Sequence, residues 1–359
     1  MIFFWKCPQK TVPLYAVNPY PMITIRVGIL TAPHIFYELR PHTFVLRNVR
    51  IGIGFHWDRL EDQEFEGQLE IIDNADGTKT AVNTIPLEDY LTSVISSEMR
   101  ADCPMELLKA HAVIARSWAI RAMAAKPHEH RTNGQMVNPF DVCADDHCQR
   151  YEGIARRNER AIEAVRATAG QVLMYDGQVC DCRYHKCCGG KTEIFETCWP
   201  AGSQTYPYLR AVDCPYCAKA VNRKDILKTI LNDYDQETLD FHDWHYTYYN
   251  KDVQDLIPLH RGQSGRIDRL KIVYQDGHEE IVGKELAIRK ALSDSCLYSS
   301  WFDVEKLPTP GHFILHGHGW GHGVGLCQIG AAVMATEGAT YQDILTSYYP
   351  GAHLQLTDN

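Results

Sequence analysis

Alternation of apolar and polar positions indicates that the first part of the chain is built from strands. Apolar side chains alternate over residues 23–30, and short apolar runs at 44–46 and 51–55 are separated by polar residues typical of turns. Asn74-Ala75-Asp76-Gly77 is a turn sequence ahead of a further strand. We therefore expect a β-rich region over residues 1–82.

The pattern changes to a helical period near Pro86, a residue that suits the first turn of a helix. Leu87, Leu91 and Val94 recur on one helix face, and Glu98 takes the next position of that face. Burial of an unpaired carboxyl group is costly and tends to raise its pKa. From the pattern alone, a helix end that emerges into solvent is the more common explanation for a glutamate such as Glu98.

A second helix is expected from Met105 to Ala125, after Cys103-Pro104. Its alanine-rich pattern is apolar on nearly every side, which is typical of a central helix with close neighbours. Arg116 lies at the shoulder of its main apolar face. A guanidinium group in that position needs either a carboxylate inside the protein or a ligand.

The remainder of the chain mixes short helices and strands, so we expect an α+β fold. It would consist of the N-terminal β-rich region, a central helical half, and a mixed α/β remainder that forms a cleft with it. The proposed divisions after residue 82 are a core at 83–219, a mixed segment at 220–305, and a glycine- and histidine-rich loop with helices at 306–359. Helices are expected at 161–168, 226–231, 284–292, 328–338 and 341–348, and strands at 172–175, 179–184 and 266–282.

Composition excludes some classes of function. The formal charge of -9 leaves no basic excess to meet phosphates, so we expect no nucleic-acid partner. No apolar run reaches the length of a transmembrane helix. The segment Met1–Cys7 is briefly apolar but lacks a basic start, a full apolar stretch and a cleavage site, so no signal peptide is visible in this sequence.

Three blocks of sequence resemble the SpoIID/LytB family, in the family's order between residues 85 and 352. The N-terminal residues 55–57 and 65–67 look like the version found in Gram-negative anaerobes. Because the blocks are long and correctly ordered, we do not attribute the resemblance to chance. The blocks comprise residues 87–99 with 106–119, residues 141–153 with 167–177 and 184–192, and residues 319–331 with 344–351.

The resemblance implies a lytic transglycosylase that cleaves peptide-free glycan strands of peptidoglycan, with Glu98 as its catalytic acid. A hydrolase needs an acid and a second carboxylate. A lytic transglycosylase instead protonates the glycosidic oxygen with one acid, and the same group then accepts the proton of the muramoyl 6-hydroxyl as the 1,6-anhydro ring closes. A carboxyl group with a pKa raised towards neutrality suits both steps, and no cofactor is needed for them.

Several other residues in the blocks are candidates for substrate binding. Each has a structural alternative: a buried arginine can tie two helices together, and the tyrosine and histidines can belong to the core. The candidates are Arg116, Ser117, Tyr184, His185, His322 and Gln328.

Cysteines are numerous, and ten of the thirteen lie between Cys103 and Cys217. The order His130, Cys143, His147, Cys148 resembles the structural zinc site of clostridial family members, with two cysteines and two histidines. Such a site would have four protein ligands and no open position. His128 competes as the fourth ligand, and a disulfide or free thiols remain alternatives for the cysteines.

Two further groups invite a metal hypothesis. Cys214-Pro215-Tyr216-Cys217 and five preceding cysteines could form a second cluster, with positions 180, 182, 187, 188 and 198. The histidines at 312, 316, 318 and 322 could hold a catalytic metal, although a glycine-rich groove floor explains this loop better.

Three functions therefore stay open. The first is the lytic transglycosylase. The second is a non-catalytic module that binds peptidoglycan and enhances a partner N-acetylmuramoyl-L-alanine amidase, as the LytB side of the family implies. The third is a metal-dependent hydrolase that uses the C-terminal histidines. Retention of Glu98 within its motif favours the enzyme, and the function places the protein in the cell envelope.

Overall fold

The computed structural model describes residues 23–55, 58–126, 130–132, 135–137, 139–145, 147–200, 202, 205–230 and 242–357. The expectations for Met1–Cys7, for the 56–57 part of the N-terminal resemblance and for His128 lie outside these residues. His130 belongs to a described strand, but its side chain lies outside the description.

The N-terminal region consists of strands, as the alternating pattern predicts. Two antiparallel sheets share it: β5, β6 and β1 are neighbours in one, and β2, β3 and β4 in the other. The strands are β1 (Thr24–Ala32), β2 (Tyr37–Leu39), β3 (Thr43–Ile51), β4 (Arg59–Glu66), β5 (Gln68–Asp73) and β6 (Lys79–Pro86).

One detail of this region differs from the prediction. The apolar run at 44–46 continues past its polar neighbours to Ile51 as the single strand β3, whereas residues 52–55 form a turn. The polar residues shift the pairing register between β3 and β4, between Leu46 and Val49, but they do not end the strand. Asn48 has φ 55°, and its N–H donates to Asp62 Oδ1 at 3.0 Å. A bulge therefore absorbs the polar pair without ending the strand.

The central helices confirm the helical periods in the sequence. α1 begins directly after Pro86, and α2 has the predicted bounds and is buried on most sides. β9 adds a parallel strand to β1, which fixes Val142 and Cys143 against the N-terminal sheet. The elements are α1 (Leu87–Glu98), α2 (Met105–Ala125), β7 (His130–Thr132), β8 (Gln135–Val137), β9 (Val142–Cys143) and α3 (Glu159–Ala167).

The second half of the chain alternates short helices and strands, and the mixed α+β fold is confirmed. Its elements up to residue 230 are β10 (Gln171–Tyr175), β11 (Gln178–Val179), β12 (Tyr184–His185), α4 (Phe195–Cys198), a 3-10 turn (Pro207–Leu209), α5 (Tyr216–Ala220) and α6 (Lys224–Ile230). From residue 242 they are β13 (Asp243–Tyr249), β14 (Val253–Arg261), β15 (Ile267–Tyr274), β16 (Glu279–Gly283), α7 (Glu285–Ala291), β17 (Phe302–Lys306), β18 (His312–His318), β19 (Leu326–Cys327), α8 (Gln328–Thr336), α9 (Tyr341–Tyr348) and β20 (His353–Leu356).

The strand expected at 179–184 is instead two short strands, β11 and β12. Between them the Cys180 N–H donates to the Leu173 carbonyl at 2.9 Å, and the Asp181 N–H donates to the Tyr208 hydroxyl at 2.8 Å. These partners belong to different elements, so the backbone leaves one sheet before it joins the next. β12 then pairs in parallel with β19, from far along the chain.

Two hydrophobic cores divide the described residues. The larger combines the N-terminal sheets, α1 to α3, residues from 173 to 230, and the chain from Trp320 onward, whereas the smaller lies within residues 244–315. Sheets β13-β18-β17 and β14-β15-β16 surround the smaller core with α7. The division expected at residue 305 falls inside β17, and β18 pairs with both β13 and β17. No described helix is both long enough and apolar enough to cross a membrane.

Candidate active site

A cavity of about 490 Å³ is lined by residues of the larger core and by α7, a helix that packs on the smaller core through Ile288. Glu98 contributes from α1, residues 147, 148 and 150 from the turn after β9, and residues 182–186 from the segment around β12. The glycine-rich loop after β18 provides residues 320–322, α8 provides Gln328, and α7 provides its first turns. The cavity therefore depends on segments that are far apart in sequence.

Glu98 is the last residue of α1 and is half-buried in the cavity wall. Its Oε1 accepts hydrogen bonds from the Arg150 backbone N–H and from the Tyr184 hydroxyl, each at 3.1 Å. The apolar residues of the same helix face, including Leu91 and Val94, are fully buried. The carboxyl group thus lies where an apolar helix face reaches a polar cavity.

Serines of α1 attach the helix to the chain that supplies Arg150. Ser97 Oγ donates to the Ser93 carbonyl at 2.8 Å and accepts from the Glu152 N–H at 3.3 Å. The Ser93 hydroxyl donates to the Gly153 carbonyl. Small hydroxyl side chains allow this close approach, so the serines ahead of Glu98 fix the position of one of its donors.

Tyr184 is held from behind by His111 of α2, a contact that the sequence did not suggest. The His111 imidazole meets the Tyr184 ring edge-on, with centroids 4.5 Å apart, and its Nε2 lies 3.3 Å from Gln328 Nε2. His111 is fully buried, and burial lowers its pKa to about 3. A neutral imidazole therefore packs between Tyr184 and Gln328 at neutral pH.

His185 and His322 form a neutral part of the cavity floor. His185 Nδ1 lies 3.2 Å from the Val324 carbonyl, and His322 Nδ1 accepts from the Val324 N–H at 3.0 Å. Burial lowers the pKa of His185 to about 3 and holds that of His322 well below its ordinary value. Neither imidazole carries a charge at neutral pH, so neither serves as an acid there.

The cavity is basic although the chain as a whole is acidic. Six basic side chains line it, against the carboxyl groups of Glu98 and Glu285. Glu152, which is 3% exposed, ion-pairs with three of the arginines at 2.5 to 3.9 Å and fixes them along the wall. The basic residues are Arg59, Arg150, Arg156, Arg183, Lys186 and Arg289.

Tryptophan rings provide the flat surfaces of the cavity. Trp118, Trp199 and Trp320 all line it. The Arg183 guanidinium lies 4.7 Å from the centre of a Trp199 ring, and Asp181 Oδ1 holds Arg183 Nε at 2.7 Å. A cation stacked on an aromatic ring keeps both groups in place for a ligand.

Arg116 and Ser117 lie inside α2 and do not line the cavity. The Arg116 guanidinium is 1% exposed and donates to both Glu88 carboxylate oxygens at 2.7 Å. The Ser117 hydroxyl donates to the Val113 carbonyl at 2.7 Å and accepts from the Leu173 N–H at 2.9 Å. Arg116 has thus found the carboxylate partner that was one of its two alternatives.

Cys143, His147 and Cys148 form a group, here called the turn cluster, that could bind a metal. Their ligand atoms lie within 4.8 Å of one another, and His147 Nδ1 is 3.6 Å from Cys148 Sγ. Thiolates and an imidazole are the usual donors of a structural zinc site, so these residues fit such an ion. His147 and Cys148 also line the cavity, two to three residues before Arg150.

A second group, here called the buried cluster, combines Cys188, Cys214, Cys217 and Cys327. The first three belong to the cysteines noted in the sequence, whereas Cys327 comes from the third block and was not expected with them. Within the described residues, the cysteines at 180, 182, 187 and 198 and the histidines at 312, 316, 318 and 322 join neither metal group. His316 contacts Glu305 at 2.7 Å, and His318 contacts Asp243 at 2.6 Å.

Comparisons with known proteins agree with this arrangement. The family model described as SpoIID, Stage II sporulation protein, matches residues 75–175, which include Glu98 and the turn cluster. A second model, a domain of unknown function (DUF8618), matches residues 249–325 and so most of the smaller core.

Similar proteins cover most of the chain. An uncharacterized protein of Brachyspira hyodysenteriae is 31% identical over 82% of this chain and 73% of its own length. The Stage II sporulation protein D of Bacillus subtilis is 28% identical over 77% of each chain. The amidase enhancer of the same organism is 25% identical over 74% of this chain but only 40% of its own length. The chain belongs to the SpoIID family.

Proposed function

We propose that this protein is a cell-envelope lytic transglycosylase that cleaves peptide-free glycan strands and leaves 1,6-anhydro-muramic acid ends. The observation that carries the proposal is the Glu98 carboxyl group, held by two hydrogen-bond donors in the wall of a basic, tryptophan-lined cavity. Relatives named as a sporulation protein and an amidase enhancer support a role at the cell wall.

Glu98 performs both proton transfers of the reaction. In its protonated form it gives a proton to the glycosidic oxygen as the bond from that oxygen to the muramoyl C1 breaks. The muramoyl 6-hydroxyl then bonds to C1 and returns its proton to Glu98, so no water is consumed. Hydrogen bonds from Tyr184 and the Arg150 N–H stabilise the carboxylate between the two transfers and fix its orientation.

The charge of the cavity favours glycan without stem peptides. Removal of the peptide leaves a free lactyl carboxylate on each muramic acid, whereas an attached peptide converts that group to a neutral amide. Six basic side chains line the cavity, among them Arg156 and Arg183, and suit such a repeating anion. The half-buried ring of Trp199 offers a surface on which a sugar can stack.

The other cavity carboxyl group is poorly placed to activate water. Glu285 is 1% exposed, and its Oε2 is 3.4 Å from Arg289 Nη1. A hydrolase of the usual kind needs a second carboxylate with access to water or to the sugar. This arrangement therefore favours transglycosylation by one acid over hydrolysis.

We also propose that the turn cluster binds a structural zinc ion, with His130 as the fourth ligand. An ion bound by Cys143, His147 and Cys148 would hold the turn that presents the Arg150 N–H to Glu98. The zinc would position a hydrogen-bond donor, and no catalytic step passes through it.

Incubation with purified peptide-free glycan strands and mass analysis of the products tests the function. We expect products with anhydro ends from the wild type and at least about a 1,000-fold lower rate for Glu98→Gln, because the acid is lost. Glu163→Gln is the matched control, since it makes the same change at an exposed helix position outside the cavity.

Two results would contradict the proposal. Products heavier by one water would show hydrolysis instead of ring closure. Strands that bind the wild type but stay intact, together with stimulation of an added N-acetylmuramoyl-L-alanine amidase, would identify a non-catalytic enhancer.

A further inference from the structure

Four cysteines from three distant segments meet in the interior, and none of them lines the cavity described above. Cys188 follows β12, Cys214 and Cys217 flank the start of α5, and Cys327 ends β19. Their four Sγ atoms lie within 4.8 Å of one another, and Cys188 Sγ is 3.4 Å from Cys217 Sγ. Each of the four residues is at most 1% exposed.

The size of the cluster fits a single ion. Zinc–thiolate bonds of about 2.3 Å in a tetrahedron place the sulfurs about 3.8 Å apart. Thiolates around a multi-iron cluster stand further apart, because several metal atoms and sulfides lie between them. The spread of at most 4.8 Å therefore indicates one tetrahedral ion.

Hydrogen-bond donors already point at the sulfurs. Cys327 Sγ accepts from the backbone N–H groups of Cys188 and Gly330, each at 3.3 Å. Cys188 Sγ accepts from the Gly190 N–H at 3.4 Å, and the Tyr348 hydroxyl lies 3.1 Å from Cys214 Sγ. A neutral thiol is a weak acceptor, so this set of donors suits thiolates, whose charge it stabilises.

Glycine at position 330 leaves room for the cluster. A Cβ atom there would stand 2.7 Å from Cys214 Sγ and 3.3 Å from Cys327 Sγ. Nearby positive charge also suits an anionic centre: the fully buried Arg266 guanidinium donates to the Cys188 carbonyl at 3.2 Å. Buried negative charge requires compensation of this kind.

We propose that Cys188, Cys214, Cys217 and Cys327 bind one structural Zn²⁺ ion as a tetrathiolate site. Binding releases one proton from each of the four thiols and leaves a centre with two negative charges. The ion would cross-link the segment of Tyr184 and His185 to the start of α8, where Gln328 reaches the cavity. The proposal does not depend on the reaction that the protein catalyses.

The test uses the full chain purified under reducing conditions with its turn cluster removed by the double substitution C143S/C148S. We expect this protein to retain one zinc per chain by elemental analysis, and its zinc X-ray absorption spectrum to show four sulfur ligands at about 2.3 Å. Cobalt in place of zinc should give thiolate charge-transfer bands and tetrahedral d–d bands. The measurement needs no variant of the buried cluster and so does not depend on the folding of one.

Addition of Cys214→Ser to the same protein should abolish the four-sulfur spectrum. Cys296→Ser is the matched control, because Cys296 is also buried but belongs to neither metal group among the described residues. Absence of zinc from C143S/C148S, iron in its place, nitrogen ligands in the spectrum, or disulfides that join the four cysteines would each overturn the proposal.

Discussion

Two of the groups that hold Glu98, the Arg150 N–H and the Tyr184 hydroxyl, come from regions built in different ways. The Arg150 N–H follows the turn cluster, which mixes thiols with an imidazole and whose His147 is exposed in the cavity mouth. Tyr184 belongs to the segment that leads into the buried cluster, which consists of thiols alone, each at most 1% exposed. One region presents a backbone group to Glu98, and the other presents a side chain.

The backbone donor and the side-chain donor therefore depend on different features of the protein. A backbone donor survives substitution of its own side chain but depends on the conformation of its turn. A side-chain donor depends on one residue type and on the packing behind it, here His111 and the β12–β19 pairing. The turn cluster is therefore expected to govern activity, and the buried cluster is expected to govern the stability of the fold.

Metal removal should produce the largest contrast between the regions. We expect a chelator to extract the zinc of the turn cluster from folded protein, with loss of activity and little loss of circular dichroism. Extraction from the buried cluster should require unfolding, because structural zinc contributes about 10–16 kcal/mol to small zinc domains and the site is closed. Zinc release recorded beside circular dichroism checks this. Release of both ions in one step before unfolding would show that the two clusters do not differ in how tightly the folded protein holds its zinc.

Substitution of the two donors should give a smaller, kinetic contrast. Tyr184→Phe removes a hydrogen bond to a charged group, worth about 1.5–3 kcal/mol, so kcat should fall roughly 10- to 150-fold. Arg150→Ala keeps its N–H and should leave kcat within about threefold, whereas loss of a cation from the wall should raise KM. Steady-state kinetics on peptide-free glycan measure both constants. Equal losses of kcat in the two variants would contradict the distinction between a side-chain donor at Tyr184 and a backbone donor at Arg150.

The smallest expected effect is a loss of folding stability at lower pH that comes from His111, the residue packed behind Tyr184. The pKa of His111 is about 3 in the folded protein and near 6.5 when unfolded, so the unfolded chain binds the proton more readily. The stability that this difference provides is present above pH 6.5 and is lost as the pH falls from there towards 3. Between pH 7 and pH 6, His111 should contribute a loss of about 0.7 kcal/mol.

Urea unfolding of the wild type and of His111→Gln at the two pH values checks this sign. Glutamine does not titrate, so the variant should lose about 0.7 kcal/mol less than the wild type over that interval. A pH dependence that is equal in both proteins would contradict a neutral, buried His111.

The sequence was sufficient for the elements that carry Glu98. Periodic apolar positions predicted α1 and α2 to within a residue or two, because both helices bury long, regular faces. The same pattern placed Glu98 at the end of an apolar face. Its proposed role as an acid came from the family resemblance and stays a prediction, together with the raised pKa that would suit it.

Contacts across long distances in the chain were beyond the sequence pattern. The Arg150 N–H is a backbone group, so its role places no constraint on which side chain occupies the position and cannot be seen in the sequence. Cys327 joins cysteines that precede it by more than a hundred positions. The β12–β19 pairing brings it to Cys188, and the packing of α5 on α8 brings it to Cys214 and Cys217. For Arg116, the pattern showed the need for a partner, but helix packing decided that Glu88 would be the one. Polar residues such as Asn48 likewise allow either a turn or a bulge until the neighbouring strand is known.

The parallel pairing of β12 with β19 also has a consequence for the order of folding. Glu98, Arg150 and Tyr184 are synthesised before the smaller core. The cavity floor at Gly321, His322 and Gln328 follows it in the chain. Contacts of such high sequence separation form late and slowly. A nascent chain therefore carries Glu98 long before the cavity around it is complete, and the proposed cleavage of the wall requires that the last helices have docked.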